Sequence, residues 1–399
     1  MPGTDADGAL LLTGSGRLLG AGRPISPWAI AVRDGLIEWV GGRDDAPAAS
    51  GQVVDLGSVL ITPGLVDAHS HPVFAGDRSD EVAARLGGVP YDGGGIWRTV
   101  RATRAASDDE LLNLVRGRLR GALAGGTTTI ECKSGYGLST NEELRALRLI
   151  GGAAQDVGVR VVRTFLGAHA VPPATSMAAY VDLVIDEMLP AVARAGAADF
   201  CDVFCDRGFF SPADAERILR AAATHGLGLR LHAEQLARSG AVELGIRLGA
   251  TSVDHLEQLD AAGVAALAAS STVATLLPGP AIVMRDALPP ARALLDAGVT
   301  LALATDANAG TYGSWSMPLV IGLGATVLDM SPAECVTAAT AGGAASLGLS
   351  DDCGAIRPGL AADLVAWDAE HEGAFALHLG AVLPRQVWIG GRPMLASPA

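Results

Sequence analysis

Five of the chain's eight histidines fall in four short segments: V-D-A-H-S-H (His69, His71), L-G-A-H (His169), L-H-A-E-Q (His232) and V-D-H-L-E (His255). A fifth segment, A-T-D-A-N, adds Asp306. Each follows a short apolar or β-branched run of the kind that forms a buried parallel strand. Helix-periodic stretches rich in Ala, Leu and Arg lie between the runs, at 108–124, 141–157, 211–225 and 240–248. Ser107-Asp108-Asp109-Glu110 opens the first with a capping pattern. Strand-like runs end at His69, Glu131, Ala168, Cys205, His232, His255, Leu277 and Asp306. Eight such βα units predict an α/β fold, a (β/α)8 barrel over residues 62–354.

The two ends read differently. Short strands broken by Gly, Pro and Asp are expected at 29–33, 35–40 and 52–56, and again at 363–367 and 386–389 before the Gly390-Gly391 turn. Residues 1–61 and 355–399 should therefore meet in one small composite β-sandwich domain.

Composition excludes several classes. The chain has 399 residues, is 49% hydrophobic and carries a formal net charge of −14 with no basic stripe, which argues against nucleic acid as a partner. No apolar run approaches the ~18 residues needed to cross a bilayer. No basic segment followed by an apolar stretch opens the chain, so a cytoplasmic location is expected. Cys201 and Cys205 lack the second pair that a zinc knuckle requires, and the five cysteines read as buried reduced thiols. Lys133 is the sole lysine, which reads as genomic bias.

His69 and His71 are two apart, so on an extended strand both imidazoles face the same way and can reach one ion. Imidazoles and a carboxylate gathered at strand ends suit a hydrolytic metal site. The ordered set His-x-His, His, His, Asp on strands one, five, six and eight resembles the amidohydrolase superfamily, in which a metal at the C-terminal mouth activates water. The flanking β-sandwich belongs to the same likeness. Some members bridge two metals with a carboxylated lysine on strand four. Here strand four, 200–204, holds no lysine, and Lys133 follows strand two. The resemblance thus implies one divalent ion, Zn2+ or Fe2+/Fe3+, held by His69, His71, His232 and Asp306. His255 would stand beside it, to polarise a carbonyl or shuttle a proton.

Longer motifs narrow the likeness. H-P-V-F-A-G-D-R-S-D-E (His71 to Glu81), the Gly93-Gly94-Gly95-Ile96 loop and T-V-R-A-T-R-A-A-S (Thr99 to Ser107) are similar to the imidazolonepropionase family. So are E-C-K-S-G-Y-G-L (Glu131 to Leu138), T-F-L-G-A-H-A-V-P-P (Thr164 to Pro173) and the His232 segment. That family opens the ring of 4-imidazolone-5-propanoate to N-formimidoyl-L-glutamate in histidine degradation. The resemblance implies substrate contacts at Arg78, Tyr136, His169, Gln235, Asn308, Gly310 and Thr311, and a homodimer. Arg78 could pair with the propanoate as a fork.

Two departures stand out. The family's proline-containing turn after the aspartate is here Asn308-Ala309-Gly310-Thr311, and Tyr312 and Trp315 follow, where they could reshape a pocket wall. Gln235 stands where some members carry a glutamate base, which leaves Asp306, His255 or Glu234 for that task. Another cyclic amidohydrolase or aminohydrolase acting on a purine, pyrimidine or hydantoin ring would share the ligands without requiring Arg78. A non-catalytic relative would be expected to have damaged ligands, and here none is damaged.

Overall fold

The computed structural model describes residues 9–23, 25–88 and 94–396. Gly93, the first residue of the glycine loop noted above, lies outside them, as does Tyr91. Four strands open the chain: β1 (Leu10–Gly14), β2 (Trp28–Arg33), β3 (Leu36–Gly42) and β4 (Gln52–Asp55), forming a sheet in the order β3-β2-β1-β4. β5 (Ile61–Pro63) leaves that sheet for another, described below.

The middle of the chain forms one eight-stranded parallel sheet in sequential order. Its strands are β6 (Leu65–Asp67), β7 (Thr127–Lys133), β8 (Arg160–Ala168), β9 (Phe200–Cys205), β10 (Gly228–Ala233), β11 (Ser252–His255), β12 (Val273–Leu276) and β13 (Leu301–Leu303). Helices connect them, as the alternation predicts. Those at Asp108–Ala124, Thr140–Val157, Pro212–Thr224 and Ala241–Leu248 match the expected stretches, and Ser107 and Glu110 form the anticipated capping box. Every residue of β7 and β9 is buried, as expected of strands covered on both faces.

The last sheet, β16-β15-β14-β5, joins β14 (Leu364–Trp367), β15 (Pro384–Ile389) and β16 (Arg392–Ala396) to β5. One apolar cluster draws Leu12, Trp28 and Ile30 from the first sheet together with Ile61, Leu364 and Trp388 from the last. Chain from both termini thus shares a core, in two sheets. The side chain of Trp367 donates to Thr62 Oγ1 at 3.0 Å. A Cβ on Gly126 (φ +90) would stand 2.7 Å from the Trp367 ring, so only glycine lets the barrel approach so closely.

Several strand ends differ from expectation. The β6 ladder stops at Asp67, two residues before His69, and β13 stops at Leu303, three before Asp306. The chain beyond these ends closes the barrel. Asp306 N donates to His69 O at 2.9 Å, and His71 N donates to Ala307 O at 3.0 Å. Below them, Asp67 accepts from Thr305 N and Thr305 Oγ1 at 2.9 and 2.6 Å.

Candidate active site

The mouth of the barrel is built from bent backbone. Leu138, Glu234, His255, Leu256 and Asp306 all adopt positive φ, between 46° and 84°. Non-glycine residues enter this region at a cost of about 1–3 kcal/mol each, and strain of this kind gathers at functional sites. The turns abruptly end the strands and redirect their last side chains.

His69 and His71 converge with Asp306. Their Nε2 atoms are 3.3 Å apart, and Asp306 Oδ1 lies 3.6 Å from His69 Nε2 and 3.3 Å from His71 Nε2. Spokes of ~2.0–2.1 Å to a tetrahedral ion give edges of about 3.3–3.4 Å, so this triangle fits one face of such a site. His69, His232 and His255 form a second group whose nitrogens lie within 4.8 Å of one another. His69 is common to both groups, which places the four residues put forward as ligands and His255 in two sets that share its ring.

Buried carboxylates orient the rings. Asp254 Oδ2 sits 2.7 Å from His69 Nδ1, which assigns the proton to Nδ1 and turns the Nε2 lone pair inward. Asp202 Oδ2 is 2.9 Å from His232 Nδ1 in an ion contact that is poorly aligned as a hydrogen bond, and Asp202 Oδ1 accepts from His232 N at 3.1 Å. Burial, reinforced by Lys133 and the other histidines, drives the His69 pKa far below its ordinary value. His232 is also lowered, chiefly by burial. Neutral imidazoles are the ligating form. Burial alone would raise Asp306, but the hydrogen bond and charge of His71, with His255 and His232, hold it below the usual carboxylate range.

Of the proposed metal ligands and substrate contacts, together with His255, all except His69 line a single cavity, joined by Ile96, Phe204 and Phe209. His69 is fully buried behind them. Arg78 is also buried, its Nε and Nη2 at 2.9 and 2.8 Å from Glu81 Oε2. Gly310 packs on the guanidinium so tightly that a Cβ there would stand 2.3 Å from Nη1. His169 places Nδ1 2.9 Å from Gly135 O, leaving Nε2 for the cavity, and stacks on His71 at 5.3 Å. Tyr136 follows Gly135 in a loop held by Glu143, whose carboxylate accepts from the backbone of Gly135, Gly137 and Leu138 at 2.6–2.9 Å.

Three expectations change. Glu234, one of the three candidate bases, is not part of the cavity wall. At φ +58 the chain turns, and its carboxylate caps Ser239, Gly240 and Ala241 and pairs with Arg238. It is therefore not placed to act as a base. Asn308 lines the cavity, but its side chain is spent locally: Oδ1 accepts from Gly310 N and Thr311 N, and Nδ2 donates to Asp306 O and Thr311 Oγ1. The backbone donors of this turn are thereby committed. Tyr312 and Trp315 do not line the cavity; Tyr312 packs on Gly279 and Trp315 on the main core.

Sequence reading missed the charged group beneath the site. Glu131, Lys133, Asp202, Arg230 and Asp254 are all fully buried. Lys133 does not follow its strand but ends β7 itself. The available signal was a charged residue inside an otherwise apolar strand, as at Asp202.

Comparison with known proteins matches residues 60–394 to the amidohydrolase family. The chain is 50% identical over 370 residues to the imidazolonepropionase of Salinispora arenicola, covering 92% of each chain. It is 46% identical over 362 residues to that of Ralstonia nicotianae, covering 88% of this chain and 89% of the relative. Among solved structures it is similar to an adenosine deaminase from Xanthomonas campestris with bound zinc (TM-score 0.75, 21% identity, 97% and 93% covered). It is likewise similar to an N-isopropylammelide isopropylaminohydrolase from Burkholderia multivorans (TM-score 0.73, 22% identity, 96% and 97% covered). At those identities the structures speak to the fold alone.

Proposed function

Because the chain belongs to the amidohydrolase family, and within it to the imidazolonepropionases, we propose that the cavity opens the ring of 4-imidazolone-5-propanoate around one bound cation. The enzyme is a hydrolase of cyclic-amide C–N bonds. The observation that carries the site assignment is that one cavity is lined by both the His/Asp cluster and Arg78. A competing ring without a carboxylate side chain would leave that arginine idle.

His69, His71, His232 and Asp306 hold the ion, zinc or iron, since the donor set suits both. When bound, such an ion acidifies water toward a pKa of about 7 and polarises a carbonyl. Asp306, kept ionised by its histidines, accepts the proton of the attacking water. His255 donates to the ring oxygen or to the departing nitrogen. Burial opposes charge on His255, but Glu257, its Oε1 3.4 Å away, raises the pKa to about 9, so the ring carries a proton to give. Arg78, fixed by Glu81 through Nε and Nη2, presents its remaining edge to the propanoate. Tyr136, the Nε2 of His169 and Gln235 complete the polar wall, and Gly310 and Thr311 form its rim. Asn308 shapes the turn that carries them.

We further propose that residues 1–61 with 355–399 act as one unit beside the barrel of 62–354. The working form is a cytoplasmic homodimer serving histidine degradation. Among the described residues no helix is long and apolar enough to cross a membrane.

The test is the absorbance decay of freshly generated 4-imidazolone-5-propanoate, with wild type and Arg78→Ala side by side. Rapid decay with wild type and a loss of about 10–150-fold in kcat/KM for the variant is expected, matching ~1.5–3 kcal/mol for a charged hydrogen bond. Inert metal-replete wild type would sink the reading.

A further inference from the structure

Lys133 is the only lysine in a chain whose Lys and Arg together number 29, and it is fully buried. Its Nζ lies 2.7 Å from Glu131 Oε1, 2.8 Å from Asp202 Oδ2 and 3.9 Å from Asp254 Oδ2. Asp202 and Asp254 are the carboxylates behind His232 and His69. Glu131 reaches the same region from another side, accepting from Ser70 N at 3.2 Å, between His69 and His71.

The two aspartates are not equally supported. Asp254 also pairs with Arg230 Nη2 at 3.0 Å and accepts from Ser252 Oγ at 2.7 Å. Arg230 is itself anchored on Ala68 O and Ser346 O. The Oδ2 of Asp202, by contrast, has two ion contacts among the described residues, to the nitrogens of Lys133 and His232. Among the described residues the ammonium is thus the one permanently charged group paired with Asp202 Oδ2. A compact ammonium with three tetrahedral donors suits a narrow space between carboxylates on the alternate strands β7, β9 and β11, whereas a planar guanidinium fork needs more room.

We propose that Lys133 is a positioning residue for the metal centre: by pinning Asp202 between β7 and β10 it fixes the ring of His232, and with it the geometry offered to the ion. The retention of lysine here is thus mechanism rather than composition. This inference rests on the metal reading given above.

The sign of one effect separates positioning from charge alone. Removing a buried positive charge makes a nearby cation site more attractive electrostatically. A role through charge alone therefore predicts tighter ion binding in Lys133→Met, and positioning predicts weaker binding. Loss of an outer partner of a metal ligand costs about 10–100-fold in affinity.

The experiment titrates the full chain with Zn2+ in competition with a chelator, and records Co2+ absorption bands, for wild type, Lys133→Met and Asp202→Asn. Both variants are expected to bind Zn2+ about 10–100-fold more weakly and to shift the Co2+ bands. Wild-type affinity and bands in a folded Lys133→Met would overturn the proposal, as would tighter binding. If that variant does not fold, the wild type decides. Labelling with 15N-lysine gives a single Nζ resonance, because there is a single lysine. That resonance should move and stop moving at one Zn2+ per chain; a resonance fixed through saturation overturns the proposal. A wild type that binds no Zn2+ or Co2+ overturns both this proposal and the metal reading.

Discussion

At the scale of single residues, the site shows how much chemistry a side chain borrows from its neighbour. His255 owes its basicity to Glu257, whose second oxygen has no hydrogen-bond partner among the described residues. The folded-state pKa of about 9 lies above the ordinary histidine value, so the protonated donor persists as pH rises and is lost through that value. Replacing Glu257 with Gln removes the charge that sustains it. The alkaline limb of kcat/KM should then move to lower pH, while bound metal stays unchanged. A limb that does not move would exclude His255 as the proton donor. Asp306 and Glu234 are an instructive pair, both acidic and both at positive φ. One turn aims a carboxylate into the cavity, and the other spends it on three backbone N–H groups and Arg238. Residue type alone could not separate them, because the decisive variable is the direction of the backbone.

At the scale of elements, the loops that carry Tyr136 and His71 are held by side chains from helices. Glu143, in the Thr140–Val157 helix, holds three backbone donors of the Gly135–Leu138 loop. Arg118, in the Asp108–Ala124 helix, donates to Pro72 O and Phe74 O and lies 3.5 Å over the Phe74 ring. Glu143→Gln should loosen the loop and raise KM without emptying the metal site. Metal content that falls in step with activity would show instead that the loop supports the ligands. The Pro332–Thr337 helix makes a pH prediction away from the site. Glu334 is pulled down to about 2, first by Arg292 and then by the Ser331 cap. Its contribution is complete above the ordinary carboxylate value and is lost as pH falls toward 2. The side chain is partly exposed, which limits its worth to under about 1 kcal/mol. Melting temperatures of wild type and Glu334→Gln should therefore differ near neutral pH and converge in acid. The elements themselves were largely legible. Periodicity of 3.6 fixed the four expected helices, and apolar runs marked the barrel strands, because both signals are carried by local burial. The short strands Leu10–Gly14, Ile61–Pro63 and Arg392–Ala396 were not legible, since each is made a strand by a distant partner. The buried ion group was missed for a similar reason: Lys133, Asp202 and Asp254 sit on separate strands, and only the closed barrel brings them together.

At the scale of the whole molecule, the barrel is fastened where its first and last strands meet, and three of the four proposed ligands, His69, His71 and Asp306, sit on that join. Binding of an ion to the native state alone adds RT ln(1 + [L]/Kd) to stability, about 2.7 kcal/mol at a hundredfold excess over Kd. Chelation should therefore lower the melting temperature, and Zn2+ should restore it. An unaltered melt after verified metal removal would argue against the proposed ligand set. The same join orders events in time. His69 and His71 are made early, but Asp306, whose N–H donates to His69 O, is added 237 residues after His69 (306 minus 69). β5 waits longer still for β14, its neighbour in the sheet. Contacts so distant along the chain form slowly, and a growing chain displays its early histidines before the rest of their cage exists. Ion capture in its final geometry is therefore a late act of folding, and nascent chains shorter than residue 306 would hold a cation only loosely.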